Sequence, residues 1–593
     1  MTENTHALPY RSLGVNGWRP FDWELIELGA ELGFNDLQIT IVGSHYDMYF
    51  DFRGRAKEAG LFDRAQELGM TTTLWVREFY NQNARWGLPR VDNDLYWEGI
   101  RHRYQGLCDL YPEVDYVILT LVESDRWVVA RDEAVIEKTV NTINDAVRAA
   151  GKTLIMRTFC WHREHAEKLG RVIPRLPDNI LISTKCVGND WNYRQPHHFL
   201  IGNVAGHKQI IEMNLFGTWQ REHYVANAYT DEIRRRFHDW VEAGVYGVFV
   251  PPDGRTRQSR PIGNAQEMNL WAMGRLAAGE TDLDAVWARF VTRRFGSKAA
   301  EPMIRALKPT GQVLDEAVHV GKEMFGHIEK GIPALRMMVD RTAHVESDKE
   351  ATHVPEELEK YDFKGDPFTI NFSTWRWDPD YIPTYHRIRK GAPEIVVAKA
   401  EAYAEKLASA RESLATLETA KEALDDAAYR YIKFKLEENE FNLIAMCEAE
   451  LAWLKASQIL YADPDAATEA ELAAEIEGHL ASLLALVERK EESLQVRWQG
   501  IDYDLHRGEY INILGFIDEF RRYWGMETGR RFQAKTEETL DTRYGPVRVV
   551  KIGPTTYFDW GDIARKYDLS DRDVIWVVRR ALTRAEDPSI ISG

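Results

Sequence analysis

A chain of 593 residues is too long for one ordinary hydrophobic core, and its 44% apolar content is ample to fill two or three. The formal charge of −18 argues against nucleic acid or an anionic membrane as partner, since a polyanion would need a local basic face that the sequence does not show. Cys108, Cys160, Cys186 and Cys447 are too few and too scattered for a disulfide framework and read as reduced thiols.

The first residues, MTENTHALPYRSLGV, lack the basic-then-apolar pattern of a signal peptide, and no stretch offers about 18 uninterrupted apolar residues. The expected compartment is the cytoplasm. From there, strand-like runs recur about every 30 residues. They are RSLGV from Arg11, DLQITIV from Asp36, TTLWVRE from Thr72, DYVILTL from Asp115, TLIMRTF from Thr153, NILISTK from Asn179, QIIEMNL from Gln209 and VYGVFVP from Val245. Helix-length segments alternate with them, including DWELIELGAELG, AVIEKTVNTINDAVRAAG and TDEIRRRFHDWVEAG, several closed by a C-cap glycine. Eight such repeats in about 280 residues fit an α/β fold of the (β/α)8 TIM-barrel type better than an open doubly wound sheet. No glycine-rich phosphate loop follows the first strand.

After Arg275 the β-rich pattern stops and a mainly α-helical C-terminal region is expected. NFSTWRWDPDY, from Asn371, reads as a loop over the barrel mouth or a core-anchored connection. Three long amphipathic patterns follow from Pro393 to Gln495; in the middle one Ile432, Leu436, Leu443, Cys447, Leu451 and Leu454 share a face, with charged residues opposite as a solvated face. A homodimer contact through this helical region is possible. The last 60 or so residues mix two short strands with a helix and carry no recognisable chemistry. The expected division is 1–300 barrel, 301–500 helical and 501–593 small mixed α/β.

In a barrel the chemically available side chains sit at the C-terminal strand ends, which selects Glu78, Glu123, Arg157, Lys185, Asp190, Glu212 and Asp253. Glycoside hydrolysis needs one protonated carboxyl and one carboxylate, and several acids at one mouth meet that need. Arg157 and Lys185 suit a substrate carboxylate, Arg157 bidentately, or else neutralise the neighbouring acids. Indole faces suit sugar rings, so Trp161 and Trp191, beside the fifth and sixth strand ends, are candidates to line the substrate. His197 and His198 read as loop residues near the substrate entrance or on the surface. Cys160, His162, His165 and Cys186 do not follow a zinc-ribbon spacing, so no metal and no cofactor is expected.

The order VILTLVESD, LIMRTFCW, NILISTKCVGNDWNYRQP, KQIIEMNL and NLWAMGRLA resembles the catalytic barrel of the α-glucuronidases of glycoside hydrolase family 67, over roughly residues 10 to 310. The resemblance implies Glu123 as general acid, Arg157 and Lys185 as uronate ligands, and Asp190 as catalytic base with Arg194 and Pro196 completing its local pattern. It also matches Glu212 at the seventh strand, a catalytic-site residue that would position substrate or water, and Asn269 at the start of the helix after the eighth, which with Arg194 would lie against the substrate. An inverting mechanism follows by analogy, with Glu123 and Asp190 roughly 6.5–9.5 Å apart.

Three departures qualify it. Leu119 stands where the family has a lysine, Thr218 where it has a second base, and the family's N-terminal α/β domain and aromatic-rich C-terminal signature are absent. Three alternatives therefore stay open: a glycosidase for another sugar on acidic polysaccharide fragments, a non-catalytic carbohydrate-binding barrel, and a metal-dependent isomerase on the same fold.

Overall fold

The structure, a computed structural model, describes residues 7–15, 22–40, 60–77, 90–121, 132–159, 163–187, 194, 196–215, 225–251, 262–263, 265–321, 323–324, 391–462 and 464–489, with short pieces at 495–498, 501–504, 513–514, 516–517, 520, 535–542, 545–552 and 555–559. Eight strands close into a barrel in chain order: β1 (Tyr10–Val15), β2 (Asp36–Thr40), β3 (Thr71–Arg77), β4 (Tyr116–Thr120), β5 (Thr153–Arg157), β6 (Leu181–Lys185), β7 (Gln209–Glu212) and β8 (Gly247–Val250). Every pairing is parallel, and β1 closes the sheet on β8. This is the expected (β/α)8 TIM barrel, with all eight strand runs where the sequence places them.

The helices between them are α1 (Asp22–Leu32), α2 (Leu61–Glu67), α3 (Asp94–Leu110), α4 (Glu133–Ala149), α5 (Arg163–Val172), α6 (Thr230–Glu242) and α7 (Glu267–Ala277). Among the described residues the β6–β7 connection carries no α-helix. Local chemistry sets their ends. Asn93 and Asp132 cap α3 and α4 by accepting from backbone N–H groups, and Gly33, Gly151 and Gly244 follow α1, α4 and α6 with positive φ.

Register decides what fills the lumen. Ser12 pairs with Asp36, Thr73 with Tyr116, and Ile155 with Leu181, so alternate residues of each strand face inward. Followed around the barrel, residues at one level come from alternate strands. The levels run Asp36, Tyr116, Leu181 and Gly247; then Ser12, Thr73, Ile155 and Ile210; then Gln38, Ile118, Ser183 and Phe249; then Gly14, Trp75, Arg157 and Glu212. Tyr10, Trp75, Ile118, Ile155, Leu181, Ile210 and Phe249 form a core separate from the one between barrel and helices. At the N-terminal end Asp36 accepts from Tyr10, Ser12 and Thr71, which closes the lumen there with a polar knot.

After the barrel come α8 (Leu283–Phe295), α9 (Ala300–Leu307) and α10 (Thr310–Val318), then a short hairpin of β9 (His319–Val320) and β10 (Glu323–Met324). The three long helices are α11 (Pro393–Ala420), α12 (Asp426–Ala462) and α13 (Ala466–Arg489). The expected apolar face of α12 is buried throughout, from Ile432 to Leu454. Its charged face is a correction: Lys435, Glu438, Glu448 and Glu450 are buried, because α12 lies between α10, α11 and α13 rather than at a surface. In the tail, β11 (Gln495–Trp498) pairs with β12 (Ile501–Asp504), while β13 (Lys535–Thr542), β14 (Gly545–Ile552) and β15 (Thr555–Asp559) form an antiparallel sheet, three strands where two were expected. NFSTWRWDPDY lies outside the described residues. Among the described residues no helix is long and apolar enough to cross a membrane.

The burial of Glu450 has a measurable consequence. Its carboxylate lies 2.7 Å from the Lys399 ammonium but takes no well-aligned hydrogen bond. Burial pushes its pKa from 4.5 up to about 7, against the pull of Lys399. The unfolded chain releases this proton at lower pH than the folded one, so stability falls as pH rises from about 4.5 to about 7. Glu450→Gln should remove that slope and make the protein about 2 kcal/mol more stable than the wild type at pH 8. Urea denaturation of both proteins at pH 5 and pH 8 checks it; equal pH slopes would contradict the assignment.

Candidate active site

Arg157, Lys185 and Glu212 are the last residues of β5, β6 and β7, so three neighbouring strands deliver them to the C-terminal mouth. Lys185 is the direct register partner of Glu212. Glu212 accepts from Arg157 through both oxygens, Nε to Oε2 at 2.6 Å and Nη2 to Oε1 at 2.6 Å, a fork-to-fork pair. The Lys185 ammonium lies 3.3 Å from Glu212 Oε1. Aromatic faces complete the setting. The Arg157 guanidinium sits 4.6 Å from the Trp75 ring centre and 4.7 Å from that of Phe159, and the Lys185 ammonium 4.2 Å from Phe159. Trp75 is itself fixed by donating from Nε1 to the Thr120 hydroxyl at 2.8 Å.

All three ionic side chains are more than nine-tenths buried. Burial alone would raise the Glu212 pKa, but Arg157 and Lys185 overcome it and hold the carboxyl down at about 2. Glu212 is therefore a permanent carboxylate near neutral pH. Proton donation is closed to it; holding two cations in place is what it can do. Among the described residues the cluster carries two cations and one anion, at the barrel end where this fold does its chemistry.

The expected bidentate grip of Arg157 on a substrate carboxylate needs revising, because its Nε–Nη2 edge is taken by Glu212. Arg194 is placed differently too. Its guanidinium bonds Asp315 at 2.7 Å, Glu316 at 2.8 Å and the Gly321 carbonyl at 2.7 Å, which ties the β6–β7 connection to α10 instead of turning it to a substrate. Asn269 is fully buried: it accepts from Tyr229 N and donates to the carbonyls of Leu215 and Asn227, so it shapes the β7–α6 connection rather than touching a ligand. His197 is partly exposed and pairs with Asp239 at 2.7 Å, whereas His198 is buried against Phe199 and is not a surface residue. Leu119 faces the layer between barrel and helices, so the missing lysine at that position removes no cation from the lumen.

Glu78, Glu123, Trp161, Asp190, Trp191 and Asp253 lie outside the described residues, as do Thr218, Cys160 and His162. Sequence reasoning missed Trp75 and Phe159. The signal was available, since Trp75 shares the inward parity of β3 and Phe159 stands two residues past Arg157. Asp315 and Glu316 offered none, because they meet Arg194 across more than a hundred residues of chain. Cys108, Cys186 and Cys447 are buried free thiols. For a metal, His238, Asp239 and Glu242 approach one another on α6, mostly exposed and away from this cluster.

Fold and site together define a (β/α)8 barrel with a buried, charged, aromatic-flanked cluster at its C-terminal mouth. No protein-family model matches the chain, that of the family 67 α-glucuronidases included, and no curated protein matches it. Among solved structures it is similar to a family GH115 4-O-methyl-α-glucuronidase with specificity for decorated arabinogalactans, at 12% identity and a TM-score of 0.43, over 92% of this chain and 68% of that one. It is also similar to a glycoside hydrolase family 20 β-N-acetylglucosaminidase, at 13% identity and a TM-score of 0.33, over 51% and 75%. A third is a sugar phosphate isomerase/epimerase from Parabacteroides distasonis, at 11% identity and a TM-score of 0.28, over 46% and 97%. The fold assignment rests on the strand pairing itself and not on these similarities.

Proposed function

We propose that the protein is an exo-acting glycoside hydrolase that releases a terminal α-linked glucuronic acid, or a related uronic acid, from an acidic oligosaccharide. The observation that carries this reading is the pair of cations, Arg157 and Lys185, arrayed on Glu212 between aromatic rings at the barrel mouth. An apolar wall beside fixed positive charge suits a ring that has hydrophobic faces and a carboxylate. With the Nε–Nη2 edge of Arg157 taken, Lys185 is the main contact for that carboxylate and Glu212 is the residue that holds both cations ready.

In this reading the bond-breaking work falls to the strand-end acids implied by the family resemblance. Glu123 protonates the departing oxygen while Asp190 takes a proton from water on the opposite face of the sugar, giving inversion. A panel of aryl glycosides and uronate-capped oligosaccharides tests it. Release of a free uronic acid is expected; a panel in which no uronic acid is released, whatever else is cleaved, would sink the proposal.

A further inference from the structure

Behind the barrel mouth a second ionic cluster joins three helices to the β6–β7 connection. Lys399, on α11 and almost wholly buried, lies 2.8 Å from Glu316 and 2.7 Å from Glu450, and donates to the backbone carbonyls of Glu316 and His319 at 2.6 and 2.7 Å. It thus satisfies a carbonyl in the last turn of α10 and that of His319 just beyond it, while holding a carboxylate from α10 and one from α12. Glu316, so held, takes Arg194, and its neighbour Asp315 takes the same guanidinium. On the barrel side the connection is stapled at its base: His198 N donates to the Cys186 carbonyl at 3.1 Å, and Cys186 N to the Glu212 carbonyl at 2.9 Å. Cys186 directly follows Lys185.

From this continuity we propose that Lys399 is a positioning residue: through Glu316 and Arg194 it fixes the connection whose base carries Lys185, so the helical region sets the geometry of the uronate-binding edge. The part concerning uronate rests on the function proposed above. The positioning itself does not. A buried ammonium shared between two acids and two carbonyls has one well-defined location, and each further link is a charge-assisted bond of 2.7–2.8 Å. Removing the ammonium leaves Glu316 to relocate, and Arg194 with it.

The experiment compares wild type, Lys399→Met, Lys399→Arg and the double variant Lys399→Met/Glu450→Gln. At pH 8, where Glu450 is mostly ionised, the double variant keeps the buried net charge unchanged and guards against simple misfolding. Hydrogen exchange at the amides of Cys186 and His198 is the first readout, calorimetric titration with glucuronate the second. In the Met variants, exchange at these two amides should accelerate at least tenfold while the β1–β3 amides keep wild-type rates, with Lys399→Arg restoring most of the protection. Glucuronate binding should weaken at least tenfold in parallel. Wild-type exchange at Cys186 and His198 in the double variant overturns the inference. So does a uniform acceleration across the barrel, which is what a merely structural role would give. Accelerated exchange at those two amides, in a protein whose wild type takes up no glucuronate, upholds the positioning and counts against the proposed function instead.

Discussion

Glu212→Ala should destabilise the protein by about 3–5 kcal/mol, because it leaves Arg157 and Lys185 charged, buried and without the carboxylate they share. The loss should appear as a fall of roughly 2–4 °C in the midpoint of thermal unfolding when the 593 residues unfold together. Glu212→Gln keeps the shape but not the charge, so most of the loss should persist. The pH dependence supplies an independent check. A carboxylate whose folded pKa is held near 2, against 4.5 unfolded, contributes stability that is complete above about 4.5 and is lost as pH falls toward 2. Wild type should show that acid limb, and both variants should lack the share of it due to residue 212. Denaturant titrations from pH 2.5 to 7 decide the matter; variants as stable as wild type at pH 7 would mean that the three groups do not form one ionic unit.

Glu123→Gln should lower kcat on an unactivated uronate-capped oligosaccharide by about 10²–10⁴, the usual contribution of a general acid. The reason lies in the leaving group. A sugar alkoxide departs poorly unless protonated, whereas a nitrophenolate departs unaided, so the loss should be much smaller on nitrophenyl uronides. Equal losses on both substrate types would assign Glu123 to binding or folding instead of proton transfer.

The barrel was legible because its signal is local. Each strand is a short apolar run, and several helices have their own cap or terminal glycine, such as Asp132 for α4 and Gly244 for α6. Arg157, Lys185 and Glu212 were legible for the same reason: a charge at the last position of an apolar strand has nowhere to go but the mouth. Which charge meets which was not. Arg157 and Glu212 are two strands apart, and their fork-to-fork pair depends on barrel curvature that no run of residues records. Arg194 and Asn269 were expected at the substrate from the family resemblance, yet tertiary packing turns both toward the protein: Arg194 to the acids of α10, Asn269 to the backbone of residues 215, 227 and 229. The α12 charges illustrate the opposite error. Helical periodicity separates apolar from charged faces, but it cannot say that a third helix will cover the charged one, as α11 does by bringing Lys399 to Glu450.

In the proposed function the Arg157–Lys185–Glu212 cluster receives the carboxylate of a uronic acid. A crystal structure of the protein soaked with glucuronic acid tests it most directly. The sugar is expected at the C-terminal mouth, its carboxylate within hydrogen-bonding distance of Lys185 Nζ and its ring against Phe159 or Trp75, with the Arg157–Glu212 pair intact. Glucuronic acid bound with its carboxylate away from Lys185, or a mouth that stays empty at saturating sugar, would contradict it.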